Sequence, residues 1–345
     1  MVTLKQIAEE AGVSVMTVSN VINQNYSKVS RQTVERVNEI IRRRHYVPNL
    51  SARSLSGKKS HIITVLVPEG DEPVNILDEP YRQQMIGSVE FQLRQCGYYV
   101  MLRSYRTAND VVSLFHNWSV DGAIMFYPPF DTAGMRAVLK AGVPTVVIDR
   151  YYDELSPLTV DLDDYRGGYL PARFLIQNGH KKIAFACPFR SPSLVVKDRI
   201  RGFADALREA GLEFPARYFF NTSGSYESGI EVGREICQIQ DPPTAVVTTL
   251  DRLAVGILEG VRISGMSVPD DLSIVGFDDW PVLQYVQPKL TTIAQDFAKK
   301  AECVAQLLLG RIEGRELPQT HITLGVELVE RQSVRRLAQT GPAAT

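Results

Sequence analysis

Three polar side chains stand directly after short apolar runs, where they could hydrogen-bond a small molecule. They are Asp149, Asp278 and Gln295. Carboxylates and an amide suit a polyol, because each hydroxyl of a polyol can both donate and accept a hydrogen bond. Each aspartate could instead cap a helix at a strand-to-helix turn, and we interpret Asp251 in that structural way. Tyr81 is a candidate apolar wall beside the first run, and we place Tyr127 in the same group.

The elements that would position these side chains follow from a regular alternation in the chain. Short apolar runs lie at 62–67, 99–102, 122–126, 144–148, 182–186, 244–248 and 272–277. Helical patterns lie near 80–95, 108–118, 131–141, 164–178, 196–211, 226–238, 250–264 and 296–312. This alternation predicts two doubly wound lobes, each a parallel sheet with helices on both faces. Such sheets bind ligands at the carboxyl ends of their strands, so two facing lobes would share one cleft.

The first 23 residues predict a helix-turn-helix, a unit whose second helix enters the major groove of DNA. Thr3 and Gln6 have capping-box spacing, Gly12 suits the end of the first helix, and Ser14 can cap the second. A third helix should run from a Ser30 cap to about residue 44.

The second helix of this unit, residues 15–23, has two distinct faces. We expect Val18, Val21 and Ile22 to be buried. The other face is free to meet a groove and carries Val15, Met16, Ser19 and Asn20. Capped helix pairs are also common in ordinary helical proteins, so this pattern alone leaves DNA binding open.

The distribution of charge favours nucleic acid at the amino-terminal end. The first 60 residues hold ten basic and four acidic side chains, a net charge of +6, whereas the whole chain carries −1. The remaining residues therefore carry −7. A basic head on an acidic body fits phosphate binding at one end only. The run Arg42-Arg43-Arg44 by itself is more typical of a solvated helix end.

These residues resemble the LacI/GalR (lactose-repressor/galactose-repressor) family of bacterial transcription regulators. The resemblance continues into the body and covers nearly the whole chain. The ordered matching set is Val2-Thr3-Leu4, Ile7-Ala8, Ala11-Gly12-Val13-Ser14, Thr17-Val18-Ser19, Val29-Ser30, Tyr46-Val47-Pro48-Asn49 and Ala52-Arg53-Ser54-Leu55.

The resemblance implies roles in DNA recognition. Val15 and Met16 would read bases, and Thr17 and Ser19 would hold phosphates or base edges. Asn20 stands where many relatives have Arg or Ala; since Asn pairs well with adenine and Arg with guanine, the operator should differ there from the commonest consensus. The full expected set is Thr3, Leu4, Ser14, Val15, Met16, Thr17, Ser19, Asn20, Asn23, Tyr46, Asn49, Ala52, Arg53 and Leu55.

The segment from Asn49 to Leu55 looks like the hinge helix of the family. There Leu55 would enter the minor groove as an apolar wedge, a device that kinks DNA. Pro48 stops the preceding segment, and the hinge is too short to be a stable helix alone. Leu55 could instead pack against its own body domain.

The resemblance also names the body as a periplasmic-binding-protein-like core, giving a small all-α head plus an α/β core. It implies that Arg199 contacts the effector. Relatives usually carry a ligand-contacting Asn where this chain has Leu250, so an ordinary hexose would lose a partner, and a buried unpaired hydroxyl costs about 1–3 kcal/mol. Leu250 could also be plain core. The expected effector set is Tyr81, Tyr127, Asp149, Arg199, Leu250, Asp278 and Gln295.

The expected domain boundaries follow from the same comparison. The helix-turn-helix domain would span 1–47, the hinge and linker 48–60, and the core 61–340. Within the core, we assign 61–160 plus 291–320 to the first lobe and 164–288 plus 323–338 to the second. The chain would cross between lobes near 160–164, 287–292 and 320–324.

Composition excludes several other classes of protein. The sequence holds no apolar run of about 18 residues and no signal-peptide core, so we expect no membrane association. The four widely spaced cysteines form no C-x-x-C pair, so neither a zinc site nor a redox motif is indicated. We expect no metal and no cofactor.

The leading interpretation is a dimeric, effector-responsive repressor, and not an enzyme. Its partners would be palindromic operator DNA, a sugar-like effector and a second copy of the chain, in the cytoplasm at the nucleoid. An α/β enzyme with an accessory DNA-binding head is the alternative, but the sequence lacks dinucleotide, nucleotide, nucleophile-elbow and zinc-protease motifs. A solute-binding transport protein would need an export signal.

Overall fold

The computed structural model describes residues 2–22, 25–46, 59–69, 75–149, 155, 157–188 and 194–338. The chain divides into two compact units, Met1–His61 and Ile62–Thr345. We call them the head and the core. The predicted hinge at 48–60 falls almost wholly outside the described residues. In the described part of the chain, no helix is long and apolar enough to cross a membrane.

The head contains three helices whose ends follow the predicted caps. They are α1 (Leu4–Ala11), α2 (Val15–Ile22) and α3 (Arg31–Arg43). Thr3 and Gln6 form a complete capping box at α1, and Gly12 closes that helix in the left-handed conformation, with φ 64°. A residue without Cβ adopts this conformation at little cost.

One small apolar core joins the three head helices. Ile7, Ala8 and Ala11 from α1 meet Val18 and Val21 from α2, and α3 adds Val37 and Ile40. Ile22, Val34 and Ile41 are only partly buried against this cluster. The apolar spacing in the sequence thus correctly predicted the packed face of each helix.

The first lobe of the core is a six-stranded sheet in the order β11-β5-β4-β3-β1-β2. All five pairings in this sheet are parallel. Its strands are β1 (Ile62–Pro68), β2 (Tyr99–Tyr105), β3 (Gly122–Phe126), β4 (Thr145–Ile148), β5 (Leu158–Leu162) and β11 (His321–Leu324). Its helices are α4 (Pro80–Gln95), α5 (Ala108–Asn117), α6 (Thr132–Lys140) and α11 (Phe297–Ile312). Adjacent β1 residues Val65 and Leu66 belong to different apolar clusters, so both faces of the sheet are covered.

The second lobe is also a six-stranded sheet, in the order β12-β10-β9-β8-β6-β7. Its strands are β6 (Ile183–Cys187), β7 (Phe219–Asn221), β8 (Ala245–Thr248), β9 (Ser273–Asp278), β10 (Thr291–Ala294) and β12 (Glu327–Val329). Its helices are α7 (Asp164–Gln177), α8 (Leu194–Glu209), α9 (Tyr226–Gln238) and α10 (Asp251–Ile263). The edge strand β12 is antiparallel to β10, which the sequence pattern did not predict.

Two of the predicted lobe boundaries are wrong. Residues 291–294 were assigned to the first lobe, but β10 pairs with β9 of the second. Residues 323–324 were assigned to the second lobe, but β11 pairs with β5 of the first. The crossovers therefore follow Leu162, Ala294 and Leu324. These strands are only four residues long, so neighbouring strands, not their own periodicity, decide which sheet they join.

Two glycines bring α7 and α8 into unusually close contact. A Cβ at Gly168 would lie 1.8 Å from the Arg199 carbonyl oxygen, and a Cβ at Gly202 would lie 1.9 Å from the Tyr165 carbonyl oxygen. Any larger residue would push the helices apart. The close approach allows the side chain of Arg199 on α8 to reach Asp164 at the start of α7.

Candidate DNA-binding face and ligand cavity

The second helix of the head exposes two large apolar side chains. Met16 is 70% exposed and Val15 44%, whereas Val18 on the same helix is fully buried. An exposed apolar pair beside a packed face indicates a contact surface. Ser19 and Asn20 are half-buried on this helix, so the exposed face is narrower than the sequence pattern suggested.

Other predicted DNA-binding residues also stabilise the head itself. Thr3 Oγ1 accepts a hydrogen bond from the Gln6 backbone N–H at 3.3 Å, and Ser14 Oγ accepts one from Thr17 at 3.0 Å. Leu4 and Tyr46 pack against the apolar core of the head. The remaining predicted contacts lie outside the described residues: Asn23, Asn49, Ala52, Arg53 and Leu55.

Two arginines at the end of α3 form ion pairs with a glutamate of α1. Arg44 Nε lies 2.8 Å from Glu10 Oε2, and Arg43 also pairs with Glu10. These contacts lower the pKa of Glu10. Two members of the arginine run, Arg43 and Arg44, therefore connect the end of α3 to α1 instead of being solvated only.

The seven predicted effector residues line one cavity at the carboxyl ends of the strands of both lobes. The cavity measures about 130 Å³ and is lined by Glu79, Tyr81, Tyr127, Asp149, Leu162, Pro188, Val195, Val196, Arg199, Thr249, Leu250, Asp278 and Gln295. Typical ligand pockets span roughly 300–1,000 Å³, so this one suits a compact ligand. Whether these residues bind an effector stays a prediction.

Three residues of the cavity have backbone conformations that side chains rarely adopt. Tyr127, Asp149 and Asp278 have φ of 27°, 59° and 114°. Each stands at the end of a strand or directly after it. Non-glycine residues with positive φ are strained and cluster at binding and active sites.

Arg199 is held in place from three sides. Its Nη2 lies 2.8 Å from Asp164 Oδ1, and its Nη1 donates to the Thr249 carbonyl oxygen at 3.0 Å. The guanidinium also stacks 3.5 Å from the centre of the Phe277 ring. Burial raises the pKa of Asp164 to about 6, even though the charge of Arg199 opposes the rise. The arginine is thus a fixed donor in the cavity wall.

Asp149 forms an ion pair with a lysine that was not predicted from the sequence to belong to the site. Lys300 is fully buried, and its Nζ lies 2.5 Å from Asp149 Oδ1 and 3.2 Å from the Tyr81 hydroxyl. The Tyr81 hydroxyl itself donates to Asp149 Oδ2. Burial, reinforced by the charge of Asp149, raises the pKa of Tyr81 well above its ordinary value, so this phenol remains a donor at physiological pH.

An arginine outside the cavity wall contacts two lining residues of the first lobe. Arg82 Nε lies 2.8 Å from Glu79 Oε2 and also donates to the Tyr127 hydroxyl. Tyr127 in turn donates to Glu79 at 3.1 Å. Burial raises the pKa of Tyr127, and its ring lies beside that of Tyr81.

The second-lobe side presents a buried carboxyl and an amide. Gln295 Nε2 donates to Asp278 Oδ1 at 2.6 Å. Burial and the nearby Asp251 raise the pKa of Asp278. Asp251 accepts from the Trp280 backbone N–H and the Thr292 hydroxyl. These contacts are structural, as expected, but the prediction that Asp251 caps a helix was wrong, because the helix begins at Asp251 and its N-cap is Leu250.

Leu250 lies in the cavity wall and also begins α10. It occupies the N-cap position of that helix and makes no side-chain cap. A Cβ at Gly224 would lie 3.0 Å from a Leu250 methyl group. Leu250 is therefore both a cavity residue and part of the packing around it.

Sequence reasoning missed several residues of the cavity and its support. Glu79, Leu162, Pro188, Val195, Val196 and Thr249 line it, and Asp164 and Lys300 hold its charged groups. Helical spacing could have revealed Lys300, because it lies on the same face of α11 as the buried residues Phe297 and Val304. A lysine on an apolar face needs a buried partner.

A larger depression of about 520 Å³ lies elsewhere on the second lobe. It is lined by Asp279, Trp280, Pro281, Gln284, Lys289, Arg331 and Gln332. Its arginine is already paired with Asp279 at 2.6 Å. Because all of its wall comes from one lobe, a ligand there would make no contact with the other.

Comparison with known protein families matches both units of the chain. Residues 3–49 match the bacterial regulatory proteins of the lacI family, and residues 172–334 match the periplasmic binding protein-like domain. Among curated proteins, the transcriptional repressor PurR of Mannheimia succiniciproducens is 32% identical over 98% of this chain and 100% of its own length. The transcriptional regulator DegA of Bacillus subtilis is 31% identical over 97% and 98%.

Solved structures give the same result. The lac repressor dimer bound to operator and the anti-inducer ONPF has a TM-score of 0.84 at 28% identity, covering 97% of this chain and 99% of its own. A LacI family regulator from Enterococcus faecium with bound ribose has a TM-score of 0.71 at 30% identity, covering 80% and 100%. The chain therefore belongs to the LacI family and is a DNA-binding transcriptional regulator with an effector-binding core.

Proposed function

We propose that this protein is a repressor that binds a two-fold symmetric operator as a homodimer and responds to a sugar or sugar derivative in the cavity of its core. The observation that carries the proposal is the cavity itself. Its wall combines Tyr81, Tyr127 and Asp149 from the first lobe with Arg199 and Asp278 from the second. A ligand there would bridge the lobes.

The head supplies the DNA-binding surface in this proposal. Val15 and Met16 are exposed on α2 and would read base edges in the major groove. Asn20 would favour adenine at its base pair. The excess of basic residues in the head would draw it to the phosphate backbone, which makes binding salt-dependent.

The hinge would add a second DNA contact, in the minor groove. Residues 49–55 lie outside the described residues, so this part rests on the sequence alone. Leu55 would act as the wedge, with Asn49, Ala52 and Arg53 beside it. An apolar wedge that kinks the duplex gains wrapped surface in return for unstacking.

The effector would act through its different affinity for two arrangements of the core. A ligand that favours one arrangement of the lobes shifts the population toward it, and that arrangement would order or melt the paired hinges. A ligand with equal affinity for both would change nothing. Whether the effector induces or corepresses depends on which arrangement it prefers.

A homodimer fits the symmetry of such an operator, because paired heads read two half-sites. The core offers large apolar side chains for an interface: Tyr285 is 78% exposed, Tyr99 61% and Phe91 52%. The similar lac repressor was solved as a dimer bound to operator, and the similar Enterococcus faecium regulator holds ribose.

The core acts as a binding module rather than an enzyme in this proposal. Arg199, Lys300 and Arg82 are all held in ion pairs, and the relatives PurR and DegA, which the chain resembles over nearly its whole length, are transcriptional regulators. A protein that binds operator DNA would work in the cytoplasm, at the nucleoid.

Selection of DNA from a random library by the full chain tests the DNA half of this proposal. We expect a palindromic consensus whose affinity falls with salt. The variant Val15→Ala/Met16→Ala should lose about 2–4 kcal/mol of preference for that consensus while retaining binding to random DNA. Gln32→Ala, an exposed change on α3, is the matched control. Selection of no consensus sequence would overturn the proposal.

A further inference from the structure

Each cation that the described residues place in or beside the cavity is paired with an acid of the protein. Arg199 pairs with Asp164, which is fully buried, and Lys300 pairs with Asp149 at 2.5 Å. Arg82, which donates to the lining residue Tyr127, pairs with Glu79 at 2.8 Å. These three pairs contribute no net charge to the cavity.

One further acid remains after these pairs are counted. Asp278 is 2% exposed, and the described residues around the cavity offer it no cation of its own. Counted over the described residues alone, these groups therefore carry a net charge of −1 when this carboxyl is ionised and zero when it is protonated. Burial raises the pKa of Asp278 and favours the protonated form.

Three buried oxygens of the wall lack a hydrogen-bond partner among the described residues. They are Asp278 Oδ2, Gln295 Oε1 and Thr249 Oγ1. All three residues line the cavity. Buried polar atoms are nearly always satisfied, so a ligand that supplies hydroxyl groups here would complete the site.

The rest of the second-lobe wall is apolar. Pro188, Val195, Val196 and Leu250 line it, and Leu162 adds an apolar side chain from the first lobe. Hydroxyl groups facing this wall would lose their water without gaining a partner. The wall therefore favours a ligand that has few or no hydroxyl groups on one face.

We propose that the effector is an uncharged, compact ring compound that places hydroxyl groups against Asp278, Gln295 and Thr249 and a sparsely hydroxylated face against Leu250. Sugar phosphates, sugar acids and amino sugars are poor ligands. Among the described residues an anion would meet no unpaired cation, and charge buried without a partner is costly. For a cation, the acid of the cavity wall that remains unpaired among the described residues is Asp278, and burial raises its pKa and so disfavours its charged form. This inference rests on the proposed function, because it assigns the effector to the same cavity.

Matched pairs of ligands test the charge of the effector directly. Calorimetric titration of the full chain would compare ribose with ribose 5-phosphate, glucose with glucuronate and glucosamine, and adenosine with adenosine monophosphate. We expect that within any pair that binds, the uncharged member binds at least about tenfold more tightly. A charged member that binds more tightly than its uncharged counterpart overturns the proposal. Inorganic phosphate at millimolar concentration should not compete.

Two variants connect the result to the named atoms. Asp278→Asn should weaken the uncharged ligand at least about tenfold, whereas Asp270→Asn, an exposed change on the same lobe, should not. Leu250→Asn should tighten the more hydroxylated ligands and leave less hydroxylated ones unimproved. Equal binding by Asp278→Asn and the unaltered chain overturns the assignment.

The two proposals fail in different ways. If a charged ligand binds, loses affinity in Asp278→Asn and changes operator affinity, the ligand class is wrong and the proposed function stands. If an uncharged ligand binds in the cavity but leaves operator affinity unchanged, the ligand class stands and the proposed function fails.

Discussion

Single residues of the cavity owe their positions to partners that lie far away in the sequence. Asp149 is 151 residues from Lys300, and Arg199 is 35 residues from Asp164. Lys300 and Asp164 are buried, and each fixes the position of its partner and balances its charge. Asp149 and Arg199 therefore remain available to a ligand as fixed hydrogen-bonding groups. Preorganised polar groups of this kind bind without first losing conformational entropy.

The buried lysine can be removed to test this support. Lys300→Met leaves the carboxylate of Asp149 half-paired in the core, so we expect a loss of about 3–5 kcal/mol in the free energy of unfolding, measured in urea. The neighbouring Lys299→Met removes only an exposed pair with Glu302 and should cost less than about 1 kcal/mol. Similar losses in the two variants would contradict the role given to Lys300.

A buried acid predicts how stability depends on pH. Burial raises the pKa of Asp251 to about 7, against an ordinary value of 3.8. The folded state therefore binds this proton more tightly than the unfolded state, and its contribution is fully present below about pH 4 and lost as pH rises to about 7. Asp251→Asn should flatten that part of the stability curve in urea titrations of the core, while Asp270→Asn leaves it unchanged. If the free energy of unfolding of Asp251→Asn changed with pH as steeply as that of the unaltered chain, groups other than Asp251 would cause the pH dependence.

At the scale of elements, the close contact of α7 with α8 controls where Arg199 stands. Gly168 and Gly202 lie where the helices touch, and neither needs an unusual φ. The reason for glycine at these positions is therefore space rather than backbone freedom.

Adding one methyl group tests this contact. Gly168→Ala should destabilise the core by about 2–3 kcal/mol, because the new Cβ meets backbone that cannot move aside. Gly87→Ala in α4 has open space around it and should be neutral or stabilising by up to about 1 kcal/mol, since alanine favours helix. Thermal unfolding measures both changes. If Gly168→Ala and Gly87→Ala changed the stability by the same amount, α8 would be free to move away from the new Cβ.

At the scale of the whole molecule, the head and the core each have an apolar cluster of their own. Each unit therefore has a packed interior of its own. If an effector in the core alters DNA affinity, linkage requires that DNA alter effector affinity by the same factor.

Calorimetry of the full chain tests this linkage. An effector at about 100 times its Kd should stabilise the core by about 2.7 kcal/mol. Operator DNA should change the effector Kd by the same factor by which the effector changes the operator Kd. Random DNA of equal length is the control. An effector that stabilises the core but leaves the operator Kd unchanged would exclude coupling between the two sites.

The sequence by itself determined the elements and the character of the site. Caps at Thr3 and Ser30 and apolar spacing gave the head its helices, and the order of runs predicted both doubly wound lobes. The ends of the predicted strands indicated Asp149, Asp278 and Gln295 as candidate ligand residues, because the carboxyl ends of parallel strands lie at the same edge of a sheet. Arg199 and Leu250 came from the family resemblance.

Only the tertiary structure decided which short strands join which sheet and which charges meet. Thr291–Ala294 and His321–Leu324 exchange lobes because of the strands beside them. Lys300 reaches Asp149, and Asp164 reaches Arg199, through contacts between separate elements. Sequence patterns report local periodicity, whereas pairing across the core depends on packing between distant segments, and that packing sets the charge of the cavity.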